Sequence, residues 1–308
     1  MMFNDNSTYF DLVNNEKLIN NNIDTYNRDK INKYKFIYKH KRLVSLGHKF
    51  NKKDSTSILT GLNTLLYNID SGIKVCYELY EGVKLYYFPA KTKGPYALIC
   101  PGGGFSKIAT IWEGFPVANE LKNKGISSFV LQYRIKENGK FNNVIEDVAS
   151  AIRYIEDNLD IFNVEEDYSL WGYSAGGYLA GMFATEKYGY KKYNLIKPTA
   201  VILSYPVVSM KRYIHEESKR NLFTKDVDAS LYSLEDNIDN NYPKTFLWHC
   251  RGDKLVDYHN SLMLQEALKK QSIYNEVHIY NEGMHGLGVA KGYKAEEYLE
   301  KAIKFIES

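Results

Sequence analysis

From residue 72 onward the chain alternates short apolar runs rich in β-formers with stretches of helical periodicity, and that alternation permits few folds. Parallel strands need crossovers of a dozen residues or more, usually helical, and those helices cover the faces of the sheet. Residues 73–79, 83–88, 96–100, 127–133, 168–172, 200–205, 245–250 and 276–280 read as strands. Segments near 115–124, 143–158, 176–187, 259–270 and 293–307 carry apolar residues at three-and-four spacing and read as helices. The first two strands are separated by a short turn, Tyr80-Glu81-Gly82, which predicts an antiparallel hairpin at the sheet edge. The expected class is therefore α/β, with an eight-stranded, mostly parallel sheet covered on both faces.

Two segments stand outside this pattern. Residues 1–70 are polar, rich in Asn and Lys, and lack strand-and-turn runs, so they form an extension expected to be helical, ahead of a catalytic domain over 71–308. Within the extension, Ser55 and Thr56 are placed to cap a helix whose Ile58, Leu59, Leu62, Leu65 and Leu66 recur at helical spacing. The second segment, 207–243, is too long and too charged for an ordinary loop and reads as a lid insertion after the sixth strand.

With 308 residues, 44% of them hydrophobic, the chain can bury a large core. Its 40 basic and 37 acidic residues nearly cancel, which excludes nucleic acid and anionic membrane as main partners. Cys76, Cys100 and Cys250 are odd in number and widely spaced, a pattern of buried thiols in a reducing compartment rather than a disulfide framework. The first thirty residues hold no apolar run of signal-peptide length, and no later stretch reaches the ~20 apolar residues of a membrane span. The expected location is the cytoplasm.

Gly172-Tyr173-Ser174-Ala175-Gly176 directly follows the strand Tyr-Ser-Leu-Trp and opens a helical stretch. A serine on such a turn is held in a strained backbone above the C-terminal sheet edge, where open α/β sheets bind their ligands. Ser174 is the candidate nucleophile. Pro101-Gly102-Gly103-Gly104-Phe105 follows the third strand. Its glycines allow the main chain to approach a developing oxyanion, so the amides of Gly103 and Gly104, with that of Ala175, are the candidate donors. No Gly-Lys-Ser/Thr or Gly-x-Gly-x-x-Gly spacing supports a nucleotide loop instead.

His285, in a glycine-containing loop after the last strand, is the candidate general base. Asp253, just beyond the seventh strand, is the candidate to orient it, with Asp257 as the rival. His249, within a strand, and His259 and His278 read as structural, His40 and His48 fall in the extension, and no pair of histidines has metal-ligand spacing. Phe105, Tyr173 and His215 are candidates to contact substrate, and Trp112 is a further aromatic near the site.

Taken in order, Pro-Gly-Gly-Gly-Phe, EGFPVANELKNKG, FVLQYRI, DVASAIRYI, WGYSAGG, SYPVVSM, TFLWHCRGD and MHGLG make the sequence similar to the α/β-hydrolase esterases that include acetyl esterases and acetylxylan-esterase-like carbohydrate esterases. The resemblance spans about 97–308. It departs at Pro101, where lipase-like relatives often carry histidine, and at Gly252-Asp253, where similar esterases often have paired aspartates. What it implies is the α/β-hydrolase fold and cofactor-free, serine-dependent hydrolysis of short acyl esters through an acyl-enzyme, with acetylated xylo-oligosaccharides among the expected substrates. A prolyl-peptidase-like amidase and a catalytically silent binding protein are the alternatives. Three roles are open to the extension: to cap the pocket, to mediate a homodimer, or neither.

Overall fold

The computed structural model describes residues 2–25, 28–43 and 52–308, without the side chains of 52–55. His48 and the Ser55 side chain lie outside the described residues. The extension carries α1 (Tyr9–Val13), α2 (Glu16–Asn20), α3 (Arg28–Lys33), α4 (Lys35–Tyr38) and α5 (Lys52–Asp70). The strands follow as β1 (Cys76–Tyr80), β2 (Val83–Phe88), β3 (Tyr96–Cys100), β4 (Ser127–Gln132), β5 (Tyr168–Tyr173), β6 (Ala200–Ser204), β7 (Lys244–Cys250) and β8 (Asn275–Tyr280). Between and after them lie α6 (Phe115–Asn123), α7 (Phe141–Glu156), α8 (Leu159–Phe162), α9 (Ala175–Phe183), α10 (Glu216–Leu222), α11 (His259–Lys270) and α12 (Tyr298–Glu307).

All eight strands join one sheet in the order β1-β2-β4-β3-β5-β6-β7-β8. β1 and β4 both run antiparallel to β2, and every other pairing is parallel. The central strands β2, β3, β5 and β6 are buried along their whole length, as expected of strands covered on both faces, whose apolar runs need no alternation. The sheet separates two apolar layers. One is built with α7, α9 and α11, through Ile152, Tyr178 and Leu264. The other is built with α5, α6 and α12, through Leu65, Leu121 and Ala302.

The extension is part of this second layer. Leu12, Leu18, Ile31 and Leu43 are buried in the same cluster as Trp171 and Trp248. A Thr8 capping box with Asp11 starts α1 and an Asn15 cap starts α2, so even five-residue helices have their first amides satisfied. The chain is then fastened to the sheet at Lys84. That buried ammonium donates to Asn22 O at 3.2 Å, Asn22 Oδ1 at 2.8 Å and Asp24 Oδ2 at 2.7 Å, partners without which its burial would be costly.

Several boundaries differ from the sequence expectation. α5 already runs from Lys52, so Ser55 and Thr56 sit inside it and do not cap it. α9 stops at Phe183 rather than 187, because Thr185 Oγ1 donates back to Met182 O at 2.7 Å and Tyr190 N takes the Phe183 carbonyl at 3.0 Å. The last helix is preceded by a 3₁₀ turn, Lys294–Glu297. The 207–243 insertion carries α10 and two 3₁₀ turns, and it packs onto α9 through Leu234, which lies against Gly181. Among the described residues no helix is long and apolar enough to cross a membrane, and all three cysteines are buried and free.

Candidate active site

β5 delivers Ser174 to the C-terminal sheet edge and α9 begins at the next residue. Between them Ser174 adopts φ 54°, ψ −119°, a conformation that costs a non-glycine residue of order 1–3 kcal/mol and persists only when its surroundings impose it. The surroundings do: Ser174 N donates to Ser204 O and Val207 N donates to Ser174 O, both at 3.0 Å. The turn is tight because a Cβ on Gly176 would fall 2.1 Å from Cys100 O and 2.4 Å from Pro101 O.

The loop after β8 brings His285 to this serine. Ser174 Oγ donates to His285 Nε2 at 2.7 Å, and His285 Nδ1 donates to Asp253 Oδ2 at 2.6 Å. Asp253 lies on the turn after β7, where its Oδ1 accepts from Leu255 N and Val256 N, each at 2.9 Å. Burial alone would raise its pKa. The donors on His249 and His285 outweigh burial and hold the carboxyl well below its usual range. Asp257, the rival, is turned away and bonds His259 Nδ1 at 2.7 Å.

His249 makes contacts that sequence reasoning did not anticipate. Its Nε2 faces two acceptors, Asp253 Oδ2 at 3.1 Å and Val256 O at 3.0 Å, so this nitrogen carries the proton. Its Nδ1 then accepts from Ser261 Oγ at 2.9 Å. One carboxylate oxygen thus serves two imidazoles. The only trace in the sequence is the four-residue spacing of His249 and Asp253 across a strand end.

Register explains the glycine loop. Cys100 pairs with Gly172, so the chain leaves β3 directly beside the serine turn, and a Cβ on Gly102 would lie 2.8 Å from Ser174 Cβ. The loop is held by its carbonyls: Tyr133 OH donates to Pro101 O at 2.7 Å, Ala109 N to Gly102 O at 2.9 Å, Ser106 N to Gly103 O at 3.2 Å and Asn221 Nδ2 to Gly104 O at 2.8 Å. Among the described residues none accepts from the amides of Gly103, Gly104 or Ala175.

Glu113 and Tyr205 form a second unanticipated link. Gly102 N donates to Glu113 Oε2 at 2.8 Å, Tyr205 OH donates to Glu113 Oε1 at 3.1 Å, and Gly288 N donates to Tyr205 OH at 2.9 Å. This bridge ties the glycine loop to the loop that carries His285. Burial raises the Glu113 pKa against the opposing pull of nearby His285 and the two hydrogen bonds. Its signal was a lone acidic residue in the apolar run Ile-Trp-Glu-Gly-Phe.

The expectation that Phe105 and Tyr173 contact substrate is corrected. Phe105 is fully buried between the rings of Tyr133 and Tyr178. Tyr173 is also fully buried, its hydroxyl 3.0 Å from that of Tyr298. Both rings are taken up in packing. His215 precedes α10, where its Nδ1 pairs with Ser218 Oγ at 2.7 Å; burial, followed by the nearby His285, lowers its pKa and favours the neutral ring. Trp112 is half-buried beside the glycine loop. His40 is exposed, His259 stacks on Tyr213 and His278 packs on Phe246. Among the described residues no group of three or more His, Cys, Asp or Glu is arranged to hold a metal.

The sequence and the fold have relatives among known proteins. The chain is 32% identical over 219 residues to endo-1,4-beta-xylanase B of Butyrivibrio fibrisolvens, covering 65% of this chain and 34% of that protein. It is 28% identical over 222 residues to an acetylxylan esterase of Xylanibacter ruminicola, covering 69% and 45%. The chain therefore spans less than half the length of either curated relative. The crystal structure of an acetyl ester-xyloside bifunctional hydrolase from Caldicellulosiruptor lactoaceticus superposes with a TM-score of 0.68 at 29% identity, over 75% of this chain and 95% of that one. A carboxylesterase of Lactobacillus plantarum shares the fold at 21% identity, with a TM-score of 0.63 over 73% and 91%. Residues 85–268 match the family described as BD-FAE, and the chain belongs to that family of α/β-hydrolases.

Proposed function

We propose that the chain hydrolyses short acyl esters, acetyl groups on xylo-oligosaccharides among them, through a covalent acyl-enzyme on Ser174. The observation that carries this reading is the unbroken hydrogen-bond chain Ser174–His285–Asp253 beside backbone amides that no group among the described residues accepts from. As the Ser174 oxygen attacks the ester carbonyl, its proton passes to His285 Nε2. The negative charge on the carbonyl oxygen falls to the amides of Gly103, Gly104 and Ala175, each such donor being worth about 3 kcal/mol in the transition state. The C–O bond to the alcohol breaks as His285 returns the proton to the leaving oxygen. Water, deprotonated by the same imidazole, then cleaves the acyl-serine and releases the acid.

The names of the relatives support an acetylated sugar as substrate: one is an acetylxylan esterase and another an acetyl ester-xyloside hydrolase. The test is turnover of p-nitrophenyl acetate, butyrate and octanoate, and acetate release from acetylated xylo-oligosaccharides, by wild type and Ser174→Ala. The expected result is activity that falls with acyl length and drops by about 10⁴-fold or more in the variant. Equal activity of the two proteins would remove Ser174 from the chemistry.

A further inference from the structure

We propose that the extension and the sheet edge together form a carbohydrate subsite for sugar units of an oligosaccharide beyond the acetylated ring, an inference that rests on the ester-hydrolase reading above. A groove of about 830 Å³ runs between Asp24 and Thr25 of the extension, Glu81 on the β1–β2 turn, Trp112, and Glu137 and Asn138 after β4. Its volume falls in the range of pockets that bury a ligand well above monosaccharide size.

The groove adjoins the catalytic edge. It lies at the C-terminal end of β4, two strands from β5 in the sheet order, which at the usual strand spacing places it about 10 Å along the edge from Ser174. The segment that supplies part of its wall, residues 106–112, is the direct continuation of the glycine loop. Lys136 N donates to Phe105 O at 2.9 Å and joins the far wall to the same loop. A chain molecule whose acetylated unit sits at Ser174 can therefore continue into the groove without leaving the surface.

The lining selects the ligand. Cationic and anionic side chains occur in nearly equal number, so the groove lacks the excess of positive charge that a phosphate backbone requires. Polar and apolar surface share the lining about equally, with Thr110, Gln132 and Asn138 beside the half-buried Trp112, a mixed wall that suits a neutral, hydroxyl-rich ring with one face to stack better than a long acyl chain. The walls are braced: Gln132 Nε2 donates to Asp24 Oδ2 at 3.0 Å, and Arg134 Nε donates to Asp147 Oδ1 at 2.8 Å. Asp24 and Thr25 belong to the extension, and with Glu81 they precede the family match, which begins at residue 85.

The experiment is calorimetric titration of full-length Ser174→Ala with unacetylated xylohexaose and xylobiose, repeated with Trp112→Ala and Glu81→Lys added singly. Turnover of p-nitrophenyl acetate by the wild type is measured in parallel. The expected result is tighter binding of the hexaose than the biose, and hexaose affinity weakened about tenfold by Trp112→Ala, the loss expected for one stacked ring. Glu81 is exposed on a turn, so its substitution tests the groove even if the tryptophan variant does not fold. No binding, equal affinity for the two lengths, or a hexaose affinity unmoved by both substitutions overturns the subsite while ester hydrolysis stands. Retained hexaose binding in a chain whose wild type turns over no ester supports the groove and removes the hydrolase reading instead.

Discussion

Asp253 shares one carboxylate oxygen between two imidazoles, and only one of them can pass a proton to and from the serine. His249 is buried and fixed on both nitrogens, so its part is to hold the carboxylate, charged and oriented, against His285. A hydrogen bond to a charged group is worth about 1.5–3 kcal/mol. His249→Ala is therefore expected to lower kcat about tenfold or more with little change in KM, and His249→Gln, which keeps an N–H within reach, to recover part of the loss. The acid side of the stability profile supplies an independent readout. Donors hold the folded Asp253 pKa below its unfolded value, so its stabilising contribution is complete above the unfolded carboxyl pKa of about 3.9 and is lost as pH falls through the folded value. With one donor removed the folded value rises, and acid unfolding followed by circular dichroism is expected at a higher pH in His249→Ala. A profile identical to wild type would show that His249 does not bear on the carboxylate. Ser174, His285 and Asp253 were legible because each sits just beyond a strand in chain order. His249, Glu113 and Tyr205 were not, because what each does depends on which loops meet across the sheet edge.

At the scale of elements, the serine turn is the join of β5, α9 and the glycine loop, and Gly176 is where the three come closest. Adding one methyl there places it 2.1 Å from Cys100 O, a backbone atom that cannot swing aside. Gly176→Ala is expected to lower stability by about 3 kcal/mol or more and to reduce activity further than the unfolded fraction explains. Denaturant titration alongside acetate-ester kinetics measures both, and a change below about 1 kcal/mol would mean that the loop yields freely. The strands were readable because fully buried strands leave unbroken apolar runs between turn residues. The insertion was readable only as excess length. Its order comes from distant partners: Asn260 Oδ1 accepts from Val208 N at 2.9 Å and Ser209 N at 3.1 Å, and Asn221 holds Gly104 O. A local pattern cannot announce such contacts, and it mistook Phe105 and Tyr173, which are packed inside the core, for walls of the pocket.

At the scale of the molecule, the extension's polar composition concealed how much of it is core. Its apolar residues are spaced so that Leu12, Leu18, Ile31 and Leu43 all reach one cluster with the central strands, while Asn20, Lys30, Asn32, Lys33 and Lys35 between them are exposed. Burying each such side chain contributes about 1.5–3 kcal/mol as an upper bound. Deleting residues 1–50 removes all four, strips Lys84 of Asn22 and Asp24, and opens the apolar cluster that the four share with Ile58, Leu62 and Leu65 of α5. Several kcal/mol in a chain of this size corresponds to a fall in Tm of at least about 10 °C. The truncated protein is also expected to bind a hydrophobic dye and to associate, since an exposed apolar patch seeks cover. If it instead melts within a few degrees of the full chain and stays monomeric, the extension is an appendage resting on a finished core. The expected loss would mean that the sheet and helices of 71–308 require the first fifty residues as their outer layer.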